Sequence, residues 1–326
     1  MKLRNFGTVP VSEVGLGCWQ IGGDQWGAVS DVDALGTLRA AVESGTTFLD
    51  TADIYGSGRS EELIGRFRRE RPGQLFIATK LGRSSNPGWP ENFTEKTIRQ
   101  HTEGSLKRLG VECLDLTQLH CVPLEELERG DVFESLRKLQ TEGKIRRFGA
   151  SVESTAEALS CLKQSGLASL QIIFNIYRQT PSTAFFEECL AKNVAVIVRL
   201  PLASGMLAGK YTKATQFDPK DHRSYNRNGE KFNVGETFAG LPFEKGLELT
   251  EKLKTLLPPG YTLPTAALRW CLDFPAVKVI IPGARNAEQA KSNASASSVP
   301  PLPADVHEKI RRFYRDEVKS NVRGPD

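Results

Sequence analysis

Three ionisable side chains stand at the ends of three successive apolar runs in this 326-residue sequence. They are Asp50, Lys80 and His120. Each one alone is compatible with an ordinary structural role, as a helix cap, a solvated strand end or a hydrogen-bonded histidine. At the carboxyl ends of neighbouring parallel strands, however, all three would point into one mouth. A carboxylate, an ammonium and an imidazole at one place are suited to proton transfer with a bound substrate.

Tyr55 follows Asp50 closely enough to reach the same place. A buried Lys80 ammonium is costly unless it is paired, so we expect an ion pair with Asp50. That ammonium would stabilise a phenolate and lower the tyrosine pKa from its usual value of about 10. Tyr55 would then be a general acid for a carbonyl oxygen, which a neutral His120 would orient. The same residues leave open a Schiff-base lyase that uses Lys80 as the nucleophile. With one histidine in the set we predict no metal site.

The elements that must position these residues alternate between short β-branched runs and amphipathic helices. Eight strands are predicted, over residues 13–17, 46–50, 75–80, 113–120, 146–151, 170–175, 195–200 and 278–283. The alternation suits an α/β fold, either a (β/α)8 TIM barrel or an open doubly wound sheet. Because no linker or composition break divides the chain, we predict one barrel domain over residues 1–326.

Several predicted segments lie outside the alternating strands and helices of the barrel. Residues 3–10 carry Gly7-Thr8 at a turn position and predict an N-terminal β-hairpin. Residues 203–237 follow the seventh strand and are polar, aperiodic and longer than an ordinary connection. We expect this long loop to cover a bound cofactor, and a solvated basic loop is the alternative. Extra helices are predicted near the end of the chain, over residues 243–256, 265–272 and 304–318.

Composition narrows the class of protein. Lys and Arg number 43 against 39 Asp and Glu, a net charge of +4, and 39% of residues are hydrophobic, as in ordinary globular proteins. The basic residues are spread along the chain, so we expect a small anionic ligand and no nucleic acid. Six scattered cysteines without a C-x-x-C pair indicate reduced thiols and a cytoplasmic location. No apolar run approaches the roughly 20 residues of a membrane helix, so we expect no membrane partner.

The residues described so far can protonate a carbonyl oxygen, but they cannot supply the hydride that its reduction requires. A bound nucleotide could supply that hydride, so we expect a nucleotide-binding site as well. Residues 15–20 (Gly-Leu-Gly-Cys-Trp-Gln) lack the third glycine of the dinucleotide fingerprint. Residues 281–286, which include Gly283, instead lead from the eighth strand into a helix predicted over 286–294. Free amides at that helix start, together with Arg285, suit phosphate. A second small-residue loop, after the seventh strand at the same rim, contains Pro201, Leu202, Ser204 and Gly205.

The sequence resembles the aldo-keto reductase family over about residues 2–313. The resemblance is carried by residues 48–56 (Phe-Leu-Asp-Thr-Ala-Asp-Ile-Tyr-Gly), 58–65, 78–80, 118–120 and 281–289. It implies a catalytic tetrad of Asp50, Tyr55, Lys80 and His120. It also implies that NADP(H) is bound without a Rossmann fold.

Cofactor contacts follow from the same resemblance. It implies that Arg285 contacts the adenosine 2′-phosphate and that Gln289 and Asn293 approach the adenine. Residues 205–211, which include Lys210, resemble the segment that follows the seventh strand.

The nicotinamide side shows two departures from the family pattern. The resemblance implies that Ser151 and Gln171 contact the carboxamide, but Val152 follows Ser151 where the family often has asparagine. Arg199 stands where many members stack a tyrosine on the nicotinamide ring. This variant resembles a bacterial branch of sugar- and inositol-related or general-stress reductases. It leaves NAD(H) possible as the cofactor.

The predicted function is an NADP(H)-dependent oxidoreductase acting on an aldehyde, a ketone or a sugar alcohol, with Tyr55 as general acid/base. Four aromatic residues on rim-facing loops are expected to line the substrate pocket, namely Trp19, Trp26, Trp89 and Phe93. A non-catalytic, NADPH-binding regulatory subunit is the remaining alternative. The sequence leaves the substrate, the direction of the reaction and the oligomeric state open.

Overall fold

A closed barrel of eight parallel strands forms the centre of the computed structural model, which describes residues 1–23, 25–71 and 73–325. In chain order the strands are β1 (Leu3–Phe6), β2 (Val9–Ser12), β3 (Leu16–Gly17), β4 (Phe48–Asp50), β5 (Phe76–Leu81), β6 (Leu116–His120), β7 (Phe148–Ser151), β8 (Leu167–Ile173), β9 (Ala195–Arg199) and β10 (Val277–Ile280). Strands β3 to β10 pair in sequence order, and parallel bridges Val14–Ile280 and Gly17–Gly283 close the ring. The predicted (β/α)8 barrel is confirmed.

Helices surround this barrel. They are α1 (Trp19–Gly22), α2 (Asp31–Glu43), α3 (Arg59–Glu70), α4 (Glu95–Leu109), α5 (Leu124–Arg129), α6 (Asp131–Thr141), α7 (Thr155–Cys161), α8 (Ala184–Ala191), α9 (His222–Tyr225), α10 (Phe243–Lys254), α11 (Leu263–Leu272), α12 (Ala287–Ser295) and α13 (Ala304–Phe313). The short α1, α5 and α9 carry too little periodicity for sequence patterns to find them. No helix in the described ranges combines the length and apolar character needed to cross a bilayer.

The predicted N-terminal hairpin is present, and it closes the amino-terminal end of the barrel. Gly7 makes the turn with a φ of 60°. Phe6 is fully buried, with its ring centroid 5.9 Å from that of Phe48 and 5.0 Å from that of Phe76. The Arg4 guanidinium donates hydrogen bonds to backbone carbonyls at the start of β10 and the end of α11. The hairpin therefore covers the amino-terminal end, or floor, of the barrel.

The long loop after β9 contains more local structure than its sequence suggests. Residues Ala203–Ala208 and Val234–Glu236 form 3-10 turns, and α9 lies between them. Asp221 caps α9 by accepting a hydrogen bond from the backbone N–H of Arg223. Turns this short depend on side-chain caps and tertiary contacts, which sequence periodicity does not reveal.

Candidate active site

The predicted tetrad converges because β4, β5 and β6 are adjacent and parallel. Asp50 ends β4, Lys80 is the second-last residue of β5, and His120 ends β6. Nζ of Lys80 donates to Oδ1 of Asp50 at 2.5 Å and to the hydroxyl of Tyr55 at 3.3 Å. It also donates to the backbone carbonyl of Thr51 at 2.9 Å. The lysine is thus fixed behind the tyrosine hydroxyl.

Two buried amides hold the other oxygen of Asp50. Oδ2 accepts hydrogen bonds from Nε2 of Gln118 at 3.3 Å and from Nε2 of Gln171 at 2.8 Å. Gln171 therefore supports Asp50, while its Oε1 accepts a bond from the hydroxyl of Ser151 at 3.4 Å. Gln118 was not singled out from the sequence, although it lies within the motif that ends in His120.

Burial decides the protonation of Tyr55. Desolvation raises the pKa of the Tyr55 hydroxyl, and it outweighs the lowering effect of the Lys80 ammonium. The expectation of a lowered tyrosine pKa is therefore wrong in the structure. Burial lowers the pKa of Lys80, but the adjacent Asp50 and Tyr55 more than reverse this and leave it raised. Tyr55 is protonated and Lys80 is charged near neutral pH.

His120 is also neutral, because burial disfavours its charged form. Burial and the positive charges of Arg83, Lys80 and Arg199 hold its pKa well below the usual value of 6.5. Its ring stands edge-on to the Tyr55 ring, with the centroids 5.9 Å apart. Within the described part of the chain, Nδ1 of His120 has no hydrogen-bond partner. A neutral imidazole in this place can orient a bound carbonyl group.

A cavity of about 800 Å³ opens over the tetrad at the carboxyl ends of the strands. All twelve predicted cofactor residues line it: Ser151, Gln171, Arg199, Pro201, Leu202, Ser204, Gly205, Lys210, Gly283, Arg285, Gln289 and Asn293. Trp19 and Trp26 also line it, and the Trp19 ring stacks on Tyr55 with the centroids 5.9 Å apart.

Trp89 and Phe93 lie elsewhere. Their rings pack against each other with the centroids 5.5 Å apart, and Trp89 is 55% exposed. Nε1 of Trp89 donates to the backbone carbonyl of Gly82 at 3.1 Å, and neither aromatic side chain lines the cavity. The expectation that these two aromatic residues share the pocket with Trp19 and Trp26 does not hold.

The end of the cavity furthest from the tetrad is built by the start of α12. Asn286 caps the helix by accepting a bond from the N–H of Gln289 at 2.9 Å. Gln289 in turn accepts from the N–H of Arg285, and Asn293 donates to the carbonyl of Gly283. The Arg285 side chain is exposed, and the buried Oε1 of Gln20 beside Gly283 has no partner among the described atoms. A helix start with an exposed guanidinium fits a phosphate group.

The long loop borders the same cavity. The backbone N–H of His222 donates to the carbonyl of Gln25 at 3.0 Å, and the Arg223 guanidinium lies 4.6 Å from the ring centroid of Trp26. The Ser204 hydroxyl is engaged within the loop, since it donates to the carbonyl of Glu236. The loop is therefore docked onto the β3–α2 connection beside the cavity. That it covers a cofactor stays a prediction.

An ion pair that lines the cavity was not predicted from the sequence. Arg83 and Glu236 both line it, and their side chains pair with Nη1 of Arg83 3.2 Å from Oε1 of Glu236. Arg83 follows Lys80 by three residues, so its position at a strand end was a usable signal. Glu236 lies in the long loop, where no local pattern distinguishes it.

Comparison with known proteins identifies the family. A model of the Aldo/keto reductase family matches residues 13–315. The chain belongs to this family. An aldo-keto reductase of Schizosaccharomyces pombe, yakc [NADP(+)], is 28% identical over 318 residues, which cover 94% of this chain and 89% of the relative.

Solved structures of other aldo-keto reductases share the fold. The holo form of an aldo-keto reductase from Bacillus halodurans is 26% identical, with a TM-score of 0.78 and 96% of each chain covered. A glycerol dehydrogenase from Gluconobacter oxydans is 29% identical, with a TM-score of 0.77, and 97% of this chain and 95% of the other are covered. The tetrad expected for the family lies together in this chain.

Proposed function

We propose that the protein is an NADP(H)-dependent oxidoreductase that transfers a hydride between nicotinamide and an aldehyde, a ketone or a sugar alcohol. The observation that carries this proposal is that one cavity is lined by Tyr55, Asp50 and His120, with Lys80 bonded behind Tyr55, and also by the start of α12 with Arg285. The yeast relative named with NADP(+) supports the cofactor. The glycerol dehydrogenase supports alcohols as one substrate class.

The chain's own residues would hold the cofactor along this cavity. Arg285 would take the 2′-phosphate, with Gln289 and Asn293 beside the adenine, and Ser151 would lie at the nicotinamide end. When bound, the reduced nicotinamide supplies the hydride. Gln171 would offer its amide oxygen and the second N–H of its NH₂ group, because one N–H is already bonded to Asp50.

Proton transfer would be the work of Tyr55. In the direction of reduction its hydroxyl gives its proton to the carbonyl oxygen, and the Lys80 ammonium at 3.3 Å stabilises the phenolate that remains. Asp50 keeps Lys80 charged, and a neutral His120 holds the carbonyl by a hydrogen bond. In the opposite direction the phenolate is the base. Because burial raises the tyrosine pKa, the proton is retained near neutral pH, which suits reduction.

The two alternative functions receive less support. A Schiff-base lyase requires a neutral amine, whereas the contacts of Lys80 raise its pKa. A purely regulatory role leaves the complete tetrad without a use. Borohydride trapping of a substrate on Lys80 would favour the lyase, and stoichiometric capture of a partner without turnover would favour the regulatory role.

The direct test is NADPH oxidation with a panel of aldehydes and ketones. We expect Tyr55→Phe to lower kcat by about 10²- to 10⁴-fold, because the general acid is removed. NADPH binding, followed by fluorescence titration, should change by less than about twofold, since that measurement does not depend on proton transfer. Tyr261→Phe is the matched control, because the Tyr261 hydroxyl bonds to the carbonyls of Pro300 and Pro301, away from the cavity lining. Equal rates for wild type and Tyr55→Phe would refute the assignment.

A further inference from the structure

Two guanidinium groups share one carboxylate at the tetrad end of the cavity. Nη1 of Arg83 and Nη1 of Arg199 each lie 3.2 Å from Oε1 of Glu236. The Glu236 side chain is only 3% exposed, and the two arginines hold its pKa below the usual value against the effect of burial. One carboxylate balances one of these two cations.

The neighbouring groups do not supply a second paired anion. Burial raises the pKa of the Cys121 thiol to about 11, so it is neutral at working pH. His120 is neutral and carries no charge of either sign. Burial and the nearby Glu236 raise the pKa of Glu153, and in the described ranges no ion pair joins Glu153 to either arginine. Within the described ranges, Glu236 is therefore the one carboxylate that forms an ion pair with these two arginines, and a carboxylate oxygen of Glu153 lies within 4.8 Å of it.

Arg83 is the more accessible of the two arginines. The Arg199 side chain is 11% exposed, and its Nη2 already donates to the carbonyl of Val152. The Arg83 side chain is 22% exposed and lies over the Phe232 ring, 5.7 Å from its centroid. Among the atoms described, Glu236 is its one hydrogen-bond partner. The remaining N–H groups of Arg83 are available to a molecule in the cavity.

We propose that Arg83 binds an anionic group, a carboxylate or a phosphate, on the carbonyl substrate whose reacting oxygen lies at Tyr55 and His120. This inference rests on the proposed function and specifies its substrate class as aldehydes that carry a negative charge. A guanidinium matches both anions because its parallel N–H groups can bond two of their oxygens at once. Glu236 has the role of a positioning residue, since its carboxylate accepts a hydrogen bond from Nη1 of Arg83.

The test compares charged and uncharged substrates of similar size. Wild type is assayed with 4-oxobutanoate against butanal, and with glyceraldehyde 3-phosphate against glyceraldehyde, so that the two pairs separate carboxylate from phosphate. We expect kcat/KM to favour one anionic substrate by about tenfold or more over its neutral partner. Arg83→Met should lower kcat/KM for that anion by about 10- to 100-fold, chiefly through KM. The neutral substrates should stay within about threefold, and the exposed Arg66→Met is the matched control.

Other results would overturn the inference. Equal loss for charged and neutral substrates, or no preference in wild type, would show that Arg83 does not recognise an anion. A second measurement avoids any folding defect in the variant: succinate should inhibit butanal reduction by the wild-type protein competitively with the aldehyde, and uncharged succinamide should not. Failure of all four substrates to oxidise NADPH would refute the proposed function instead. Calorimetric titration of wild type with succinate would then show, independently of catalysis, whether the cavity binds an anion.

Discussion

Single residues in the tetrad depend on burial as much as on one another. Tyr55 stays protonated because its hydroxyl is removed from water, and Lys80 stays charged because Asp50 more than offsets its own desolvation. Gln118 and Gln171 complete this arrangement by bonding the second oxygen of Asp50. An ion pair held on both sides in this way is a rigid support for one hydroxyl group.

Arg285 provides a prediction about the cofactor at the same scale. We expect Arg285→Ala to weaken NADPH binding by about tenfold or more and NADH binding by less than about twofold, because only NADPH carries the 2′-phosphate. Fluorescence titration with both cofactors measures this, with the exposed Lys291→Ala on α12 as the control. A similar loss for the two cofactors would contradict the assigned role.

Among the elements, the long loop after β9 is held in place by a short helix. Its docking depends on α9, where the fully buried His222 packs on the Trp26 ring with the centroids 4.4 Å apart. Ring Nδ1 of His222 also lies 3.2 Å from the carbonyl of Gln25. These contacts join the loop to the segment that carries Trp19 and Trp26. The cavity wall is therefore shared by two parts of the chain about 200 residues apart.

His222 makes the stability of this arrangement depend on pH. Burial lowers its pKa to about 4, whereas the unfolded chain takes up a proton at about 6.5. Stability is therefore lost as the pH falls from about 6.5 towards 4, since only the unfolded state gains the proton there. As the pH is lowered from 7.5 to 5.5, protonation of this histidine in the unfolded state should lower the free energy of unfolding by about 1 kcal/mol.

The matching variant is His222→Asn, which keeps a side-chain donor near the Gln25 carbonyl. Urea unfolding at pH 7.5 and pH 5.5 should show a smaller loss for this variant than for wild type, by about that 1 kcal/mol. Lys213→Ala, at an exposed position in the same loop, should behave as wild type. An identical pH dependence for wild type and His222→Asn would show that His222 titrates normally.

In the whole molecule, chemistry and support lie at opposite ends of the barrel. The carboxyl ends of the strands carry the tetrad and the cavity, and the hairpin β1–β2 fills the other end with Phe6. Barrels of this type separate the two tasks, because loops at the carboxyl ends can vary while the floor remains packed. Changes at the floor should therefore alter stability and leave the chemistry intact.

Phe6→Ala tests this separation. Removal of a fully buried phenyl ring should lower the unfolding free energy by about 3–5 kcal/mol, because it leaves a cavity between Phe48 and Phe76. At a temperature where both proteins are folded, kcat with an aldehyde should agree within about twofold. Leu3→Ala in the same hairpin is the control, because Leu3 is 58% exposed. A large fall in kcat of the folded variant would mean that the floor and the active site are coupled.

Local sequence was sufficient for the barrel and for the tetrad. The alternation of apolar runs with amphipathic helices specifies parallel strands, and parallel strands bring Asp50, Lys80 and His120 to one rim whatever the details of packing. The turn after the eighth strand likewise places Arg285 at a helix start by chain geometry alone. These features follow from periodicity and from the place of each residue at the end of its own strand.

Tertiary packing decided the rest. Burial reversed the expected shift of the Tyr55 pKa, because desolvation depends on every atom around the hydroxyl. The Trp89 indole bonds to the Gly82 carbonyl and does not line the cavity. The pairing of Arg83 with Glu236 joins residues 153 positions apart through a loop without a periodic pattern. Such charges and contacts are set by distances in space between remote parts of the chain, and spacing along the sequence does not contain them.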